Sequence, residues 1–229
     1  MDKRLPNATI AGAGTIGCGE YDKVGCSGSV KITGDIRCVS MSCSGAVKAI
    51  GNIICEKMFK ISGVFKSEGG CKADAVLSSG SMRFEKSLET RDLSISGTFH
   101  CGENCSAETA KIRGAVCITG LLNAETADIC LDEHNGRGGN KIGSIGGGTV
   151  IIKFRNSMMR RYLKFLCKPK KKIFVTEIEA DSVSLEHTVV NIVRTVDAVI
   201  GEGCEIETLE YSGMLSINEK ATVKHLVRV

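Results

Sequence analysis

Apolar and polar residues alternate along most of this chain, and the alternation recurs about every seventeen residues. The repeat is marked by glycines spaced 17, 18, 17, 17 and 17 residues apart, namely Gly28, Gly45, Gly63, Gly80, Gly97 and Gly114. Alternation with a period of two is typical of strands that bury one face, and glycines at fixed intervals indicate tight corners. The pattern predicts an all-β fold, a parallel β-helix (solenoid) in which successive coils stack on one another.

Aligning the repeats on these glycines places similar residues in columns. The three apolar columns are Val30, Val47, Phe65, Met82, Phe99, Val116; Ile36, Ile53, Cys71, Leu88, Cys105, Leu122; and Met41, Met58, Val76, Leu93, Ala110, Ala127. A column of small residues contains Cys38, Cys55, Ala73, Thr90, Ala107 and Ala124. The apolar columns lie six, five and six residues apart around the repeat, which predicts a single-stranded, three-sided coil with one short side.

The same period returns near the end of the chain. Val183, Ile200 and Ile217 are 17 residues apart, and so are Val189, Ile206 and Val223, as well as Ile192, Leu209 and Leu226. We therefore divide the chain into an N-terminal arm at 1–9, a first β-helix block at 10–131, an interruption at 132–172 and a C-terminal block of the same solenoid at 173–229.

The interruption combines a Gly-rich loop, a short strand at Thr149–Ile152, and a stretch from Lys153 to Lys172 with nine basic and no acidic residues. Apolar residues in this stretch recur at helical spacing, so a short basic amphipathic helix is predicted, ending at Pro169. Its candidate contact residues are Phe154, Met158, Met159, Arg160, Arg161, Tyr162, Leu163, Lys164, Phe165, Leu166, Lys170, Lys171 and Lys172. The helix either packs on the solenoid flank or contacts an anionic membrane or another partner.

Composition and charge add little to this picture. A net charge of +4 over 229 residues does not favour nucleic-acid binding, and no apolar run of about 18 residues suggests a membrane span. The first residues lack the apolar core of a signal peptide, so we expect a cytoplasmic location. There the twelve cysteines would stay reduced and serve as small apolar residues in the core.

Three patterns that suggest chemistry are weaker than the repeat. Gly12-Ala-Gly14-Thr-Ile-Gly17 matches the dinucleotide fingerprint, but that motif needs a following helix, so no cofactor is expected. His100 with Cys101 and Cys105 leaves a zinc site as a minor alternative. His134, in the Gly-rich loop, is where a solenoid acyl- or glycosyl-transferase would keep a catalytic base, and this enzyme is the alternative function.

Charged residues also form columns that face outward. One is basic, with Lys31, Lys48, Lys66, Arg83 and His100, while acidic residues such as Glu56, Asp74, Glu108 and Glu125 occupy other outward columns. Such stripes are solvated faces in most proteins. The alternative is that they guide lateral pairing of filaments.

The chain resembles the bactofilin family of bacterial polymer-forming cytoskeletal proteins. The resemblance rests on the segment Gly19-Glu-Tyr-Asp22 followed by Val24, on the repeated Ser-Gly-x-(Val/Phe)-Lys corners, and on the tail from Ile200 to Tyr211. It covers the chain apart from the basic stretch. It implies a right-handed β-helix that assembles end to end without nucleotide and scaffolds cell-envelope enzymes.

The ends of the solenoid give this expectation a physical basis. Terminal coils expose strand edges and an open core, natural solenoids cover them with capping segments, and no capping pattern is evident here. We therefore predict a non-enzymatic homopolymer whose interface includes Ile10, Ile16, Val223, Leu226 and Val229. A module that anchors at the membrane through the basic stretch is a further alternative.

Overall fold

The fold is a parallel β-solenoid. The computed structural model describes residues 5–131, 139–155 and 172–229, and these form eighteen strands with no helix among them. The strands are β1 (Ala8–Ile10), β2 (Gly14–Ile16), β3 (Gly19–Cys26), β4 (Ser29–Ile32), β5 (Ile36–Cys43), β6 (Ala46–Ala49), β7 (Ile53–Ile61), β8 (Val64–Ser67), β9 (Cys71–Ser78), β10 (Ser81–Phe84), β11 (Leu88–Cys101), β12 (Cys105–Leu131), β13 (Asn140–Phe154), β14 (Ile173–Leu185), β15 (Thr188–Ile200), β16 (Glu205–Tyr211), β17 (Leu215–Ile217) and β18 (Thr222–Arg228).

Each inner strand pairs in parallel with the strands one coil before and one coil after it. One column of aligned residues runs from Ala8 in the first coil, through Val24 and Met41, to Ala198 and finally Leu215 in the last. The solenoid has about 12 such turns. The prediction of an all-β parallel solenoid is thus confirmed.

Alternation of buried and exposed residues explains how a strand turns a corner. In β5, Ile36 and Cys38 are buried before the bend, and Met41 and Cys43 are buried after it. The two residues between, Val39 and Ser40, are both half-buried, so the phase of the alternation changes there and the strand bends without ending.

The first two predicted apolar columns are confirmed wherever pairings are described, but the third is wrong at Met58. Met41 aligns with Phe59, and the ladder shifts register at this point. Phe59 is fully buried, whereas Met58 is 45% exposed. The coil contains one extra residue, and its bulge moves Met58 out of the core. Phe59 packs edge-on against Phe65, with ring centroids 4.9 Å apart.

The regular period predicted for the C-terminal block is wrong for its first coils. Val183 aligns with Ala198, fifteen residues later, and Val190 with Ile206, sixteen residues later. The corners there are tighter, since His187 adopts a φ of 47° in a two-residue turn between β14 and β15. The spacing of 17 returns in the last coil, where Ile206 aligns with Val223.

The short strand predicted within the interruption is part of a complete coil. Thr149–Ile152 lies inside β13, which pairs with β12 on one side and β14 on the other. Within the interruption, residues 132–138 and 156–171 lie outside the described structure, so the predicted loop from Asp132 and most of the predicted basic helix cannot be compared with it.

The glycine column is explained by close contact between coils. A Cβ on Gly45, Gly63 or Gly80 would lie 2.0 to 2.1 Å from the carbonyl oxygen of the glycine one coil before. Positive φ, the other property that favours glycine at a corner, occurs within the column at Gly114. Glycine is needed at the other positions because no side-chain atom fits between the stacked corners.

Candidate assembly surfaces

The last coil leaves apolar columns uncovered. Leu226 is 50% exposed although Leu209, its neighbour one coil earlier in the same column, is fully buried. Ile217 is likewise 39% exposed above the buried Ile200. Met214 and Val229 add further apolar surface, with 76% and 77% of each residue exposed. In inner coils these columns form the core, so the last coil presents an open cross-section of that core.

Backbone groups at both ends also lack a neighbouring strand within the described part of the chain. At the C-terminal end β17 pairs with β15, and β18 pairs with β16, each on one side. At the N-terminal end β1 pairs with β3, and β2 pairs with β4. Unpaired edges of this kind are templates for adding a further strand.

The structure separates the five residues predicted at the polymer interface. Leu226 and Val229 are well exposed at the C-terminal end, and Val223 is half-buried beside them. Ile10 is half-buried in the first coil, whereas Ile16 is only 4% exposed and belongs to the core. Sequence reasoning omitted Met214, Ile217 and Val227. Ile217 could have been included, because it continues a column that the repeat had already defined.

One member of the predicted basic contact set is placed differently. Phe154 is the last residue of β13, is 4% exposed, and packs edge-on against His187 at 5.4 Å. Its inclusion in an exposed helix face was therefore wrong, because the strand continues through it. Lys172 forms an ion pair with Glu205. The remaining members, Met158 to Lys171, lie outside the described residues, and so does His134.

The residues considered for zinc binding do not converge. Cys101 is fully buried and its thiol approaches the carbonyl oxygens of Lys86 and Asn104 at 3.2 and 3.4 Å. His100 precedes it on the same strand, so its side chain points to the opposite, outer face. Burial raises the pKa of the Cys105 thiol, which favours the neutral form. Within the described ranges no group of three metal-ligating side chains occurs.

The glycine fingerprint and the cysteines behave as structural elements. Gly14–Ile16 forms β2, and the next element is the strand β3, so the helix that a dinucleotide motif requires is replaced by a strand. Eight cysteines are buried in the described structure, which confirms that most of them fill the core. Cys26 and Cys43 are stacked in neighbouring coils, where a small apolar side chain fits.

The basic column forms a continuous outward-facing row. Lys31, Lys48, Lys66, Arg83 and His100 align from coil to coil. Lys48 pairs with Glu68 at 2.9 Å and Arg83 with Glu85 at 2.6 Å. Burial and the nearby Arg83 charge lower the pKa of His100, so its imidazole is neutral at pH 7. We call these five residues the cationic ladder.

Comparison with known proteins adds one partial similarity. The chain is 30% identical over 110 residues to the uncharacterized protein YhbF of Bacillus subtilis (strain 168). The aligned part covers 48% of this chain and 42% of that protein, so the chain spans less than half of its relative's length. No family model matches the chain, and no solved structure is similar to it.

Among the described residues, no helix has the length and apolar character needed to cross a bilayer.

Proposed function

We propose that this protein is a polymer-forming scaffold whose solenoids associate end to end without nucleotide, rather than an enzyme. The observation that carries the proposal is the open core at the C-terminal coil, where Ile217, Leu226 and Val229 are exposed. Exposed apolar surface and unpaired strand edges at the same place favour association with another protein surface.

The end coil of a second copy is the partner that fits this surface. The first coil continues the same columns as the last, because Ala8 and Leu215 belong to one aligned column and Ile16 and Val223 to another. Two end coils therefore have the same strand spacing and the same arrangement of apolar positions. Contact between them would bury Leu226 as Leu209 is buried within the chain.

The finer parts of the proposal rest on the sequence patterns, and the right-handedness and the cellular role rest on the resemblance to bactofilins. They are a three-sided, right-handed coil, a basic amphipathic helix within 153–172 that touches the solenoid flank or an anionic membrane, and a cytoplasmic location. The role we propose is support of cell shape or of cell-envelope organisation in a bacterium, through recruitment of envelope enzymes.

Replacing Leu226 with aspartate tests the end contact. A charge at the open core would be costly to bury, so Leu226→Asp should stay monomeric in sedimentation and form no filaments in negative-stain electron microscopy. The wild-type chain should sediment as long filaments under the same conditions.

Val199→Asp is the matched control. Val199 is 53% exposed, close to the 50% of Leu226, but it lies in β15 between Ser184 of β14 and Ser216 of β17, so both of its neighbouring strands are present. This variant should still form filaments, while circular dichroism should show that both variants are folded. A wild-type chain that remains monomeric at all concentrations and salts would refute the proposal, as would filaments of Leu226→Asp.

A further inference from the structure

A shallow groove runs along the solenoid on a different side from the cationic ladder. Its floor is the predicted column of small residues, with Cys55, Ala73, Thr90 and Ala107 in one segment of about 560 Å³. The same columns continue in later coils, where a second segment of similar volume has Ala180 and Thr195 on its floor. Small residues at these positions leave space between the two outward-pointing columns that form the walls.

The walls of this groove are mainly acidic. Together the two segments are lined by seven carboxylates and three basic side chains. Each basic side chain is already paired: Lys72 with Glu89, Arg91 with Asp74 and Asp92, and Arg194 with Glu177 and Glu210. Of the seven carboxylates that line the groove, Glu56, Glu108, Glu179 and Asp181 make no ion pair with the described residues. We call this surface the acidic groove.

The cationic ladder carries the opposite charge at the same spacing. Both surfaces are built from consecutive coils, so their charged positions recur at multiples of the strand separation of about 4.8 Å. The described structure shows no ion pair for Lys31 or Lys66, although both lie in a row of like charges that repel one another. On the side nearer β3, the ladder is flanked by the column of Ser29, Ala46, Val64, Ser81 and Thr98, whose side chains are all shorter than lysine, so the lysine side chains can project beyond them.

We propose that solenoids pair laterally, with the cationic ladder of one copy seated in the acidic groove of a second copy. Because both surfaces repeat from coil to coil, several charge pairs can form at once along the axis. A single surface ion pair contributes little stability by itself. The two surfaces differ, so the contact is heterologous and each copy keeps one surface for another neighbour. The outcome is a sheet or bundle rather than a closed dimer. This contact uses the flanks and does not depend on the end contact proposed above.

Charge reversal in the Leu226→Asp background tests the inference on chains that do not stack end to end. In about 50 mM salt, sedimentation should show lateral oligomers, and these should dissociate near 1 M salt, where the screening length falls to about 3 Å. Lys31→Glu with Lys66→Glu should abolish the oligomers because negative charges in the ladder then face the carboxylates of the groove. Glu56→Lys with Glu108→Lys should do the same because positive charges in the groove then face the lysines of the ladder.

An equimolar mixture of the two double variants should restore association, since each surface again finds its opposite. Lys60→Glu with Lys111→Glu is the matched control: both lysines are exposed, they share another column, and the change in net charge equals that of the ladder variant. This control should associate like its parent.

Three results would overturn the inference: a parent chain that stays monomeric at low salt, folded double variants that still associate, or a mixture that does not. A fourth would be ladder variants that lose binding to anionic lipid vesicles while self-association is unchanged, because the ladder would then serve a membrane. None of these outcomes bears on end-to-end filaments, which are measured separately in the wild-type chain.

Discussion

Replacing Gly63 with alanine tests whether stacked glycine corners determine how closely the coils approach. A Cβ at Gly63 would lie 2.1 Å from the carbonyl oxygen of Gly45, whereas ordinary contact begins near 3.4 Å. The coils would have to separate locally by about 1 Å, and strands in a sheet are normally about 4.8 Å apart. The same oxygen accepts a hydrogen bond of 2.9 Å from the Val64 amide, which this movement would break.

The expected loss of stability follows from these contacts. Overpacking costs about 1–3 kcal/mol, and a lost backbone hydrogen bond costs about 1 kcal/mol. Alanine restricts the unfolded chain, which offsets about 0.4–1 kcal/mol. We expect Gly63→Ala to lower the free energy of unfolding by about 2 kcal/mol, measured by denaturant titration in the Leu226→Asp background so that assembly does not contribute.

Gly12→Ala is the matched control within the same column. Gly12 belongs to the first coil, and a Cβ there would meet no atom within 4 Å. Its φ lies outside the left-handed region, so alanine should leave stability unchanged or raise it by up to about 1 kcal/mol. Equal effects of the two substitutions would refute the reasoning, because conformational freedom rather than contact between coils would then explain the glycines.

Three other predictions concern the register, the pH dependence and the ion pairs. Phe59→Ala should cost about 3–5 kcal/mol in chemical unfolding, and Met58→Ala less than about 0.5 kcal/mol; equal losses would contradict the bulge. Because the pKa of His100 is lowered in the folded protein, the neutral imidazole contributes folding stability that is complete above the ordinary pKa of about 6.5. This stability is lost as the pH falls through the folded pKa. Arg83→Gln should raise the His100 pKa in an NMR titration, and an unchanged pKa would argue against this cause. Arg194→Met should lower stability slightly at low salt, and this loss should vanish at high salt if the ion pairs with Glu177 and Glu210 cause it.

The fold was predictable because the repeat is visible directly in the amino-acid sequence. Columns such as Val30 to Val116 recur with little variation, and parallel stacking is the arrangement that brings identical positions together. The outward direction of the cationic ladder followed from the same alternation. The alternation did not predict the ion pairs that the ladder forms with Glu68 and Glu85, because these pairs join residues of two different columns.

Local changes in coil length could not be predicted from the average period. Met58 and Phe59 are neighbouring apolar residues, and the average period does not show which of them occupies the core position. The bulge that places Phe59 there depends on packing against Phe65. In the C-terminal block, the tight turn at His187 removes residues from the coil. A left-handed residue that is not glycine gives no clear signal in the sequence, so the columns containing Val183 and Val189 were wrongly extended at a spacing of 17.

The acidic groove was missed as a shape although its charges were noted. The alignment identified Glu56, Asp74 and Glu108 as an outward column and Ala73 and Ala107 as core residues. It could not show that small core residues leave a depression between two outward columns. The depression depends on how far the side chains of both walls project from the backbone, and the alignment of columns does not contain this information.

The corner occupied by the stacked glycines is also where the chain has its longest connections between strands. After Gly114, the next two passages through that corner coincide with the two longest connections between described strands, from Leu131 to Asn140 and from Phe154 to Ile173. In both cases the strands rejoin in alignment, with Asn140 beside Ile173. A longer connection at this corner therefore leaves the backbone hydrogen bonds between neighbouring coils in place.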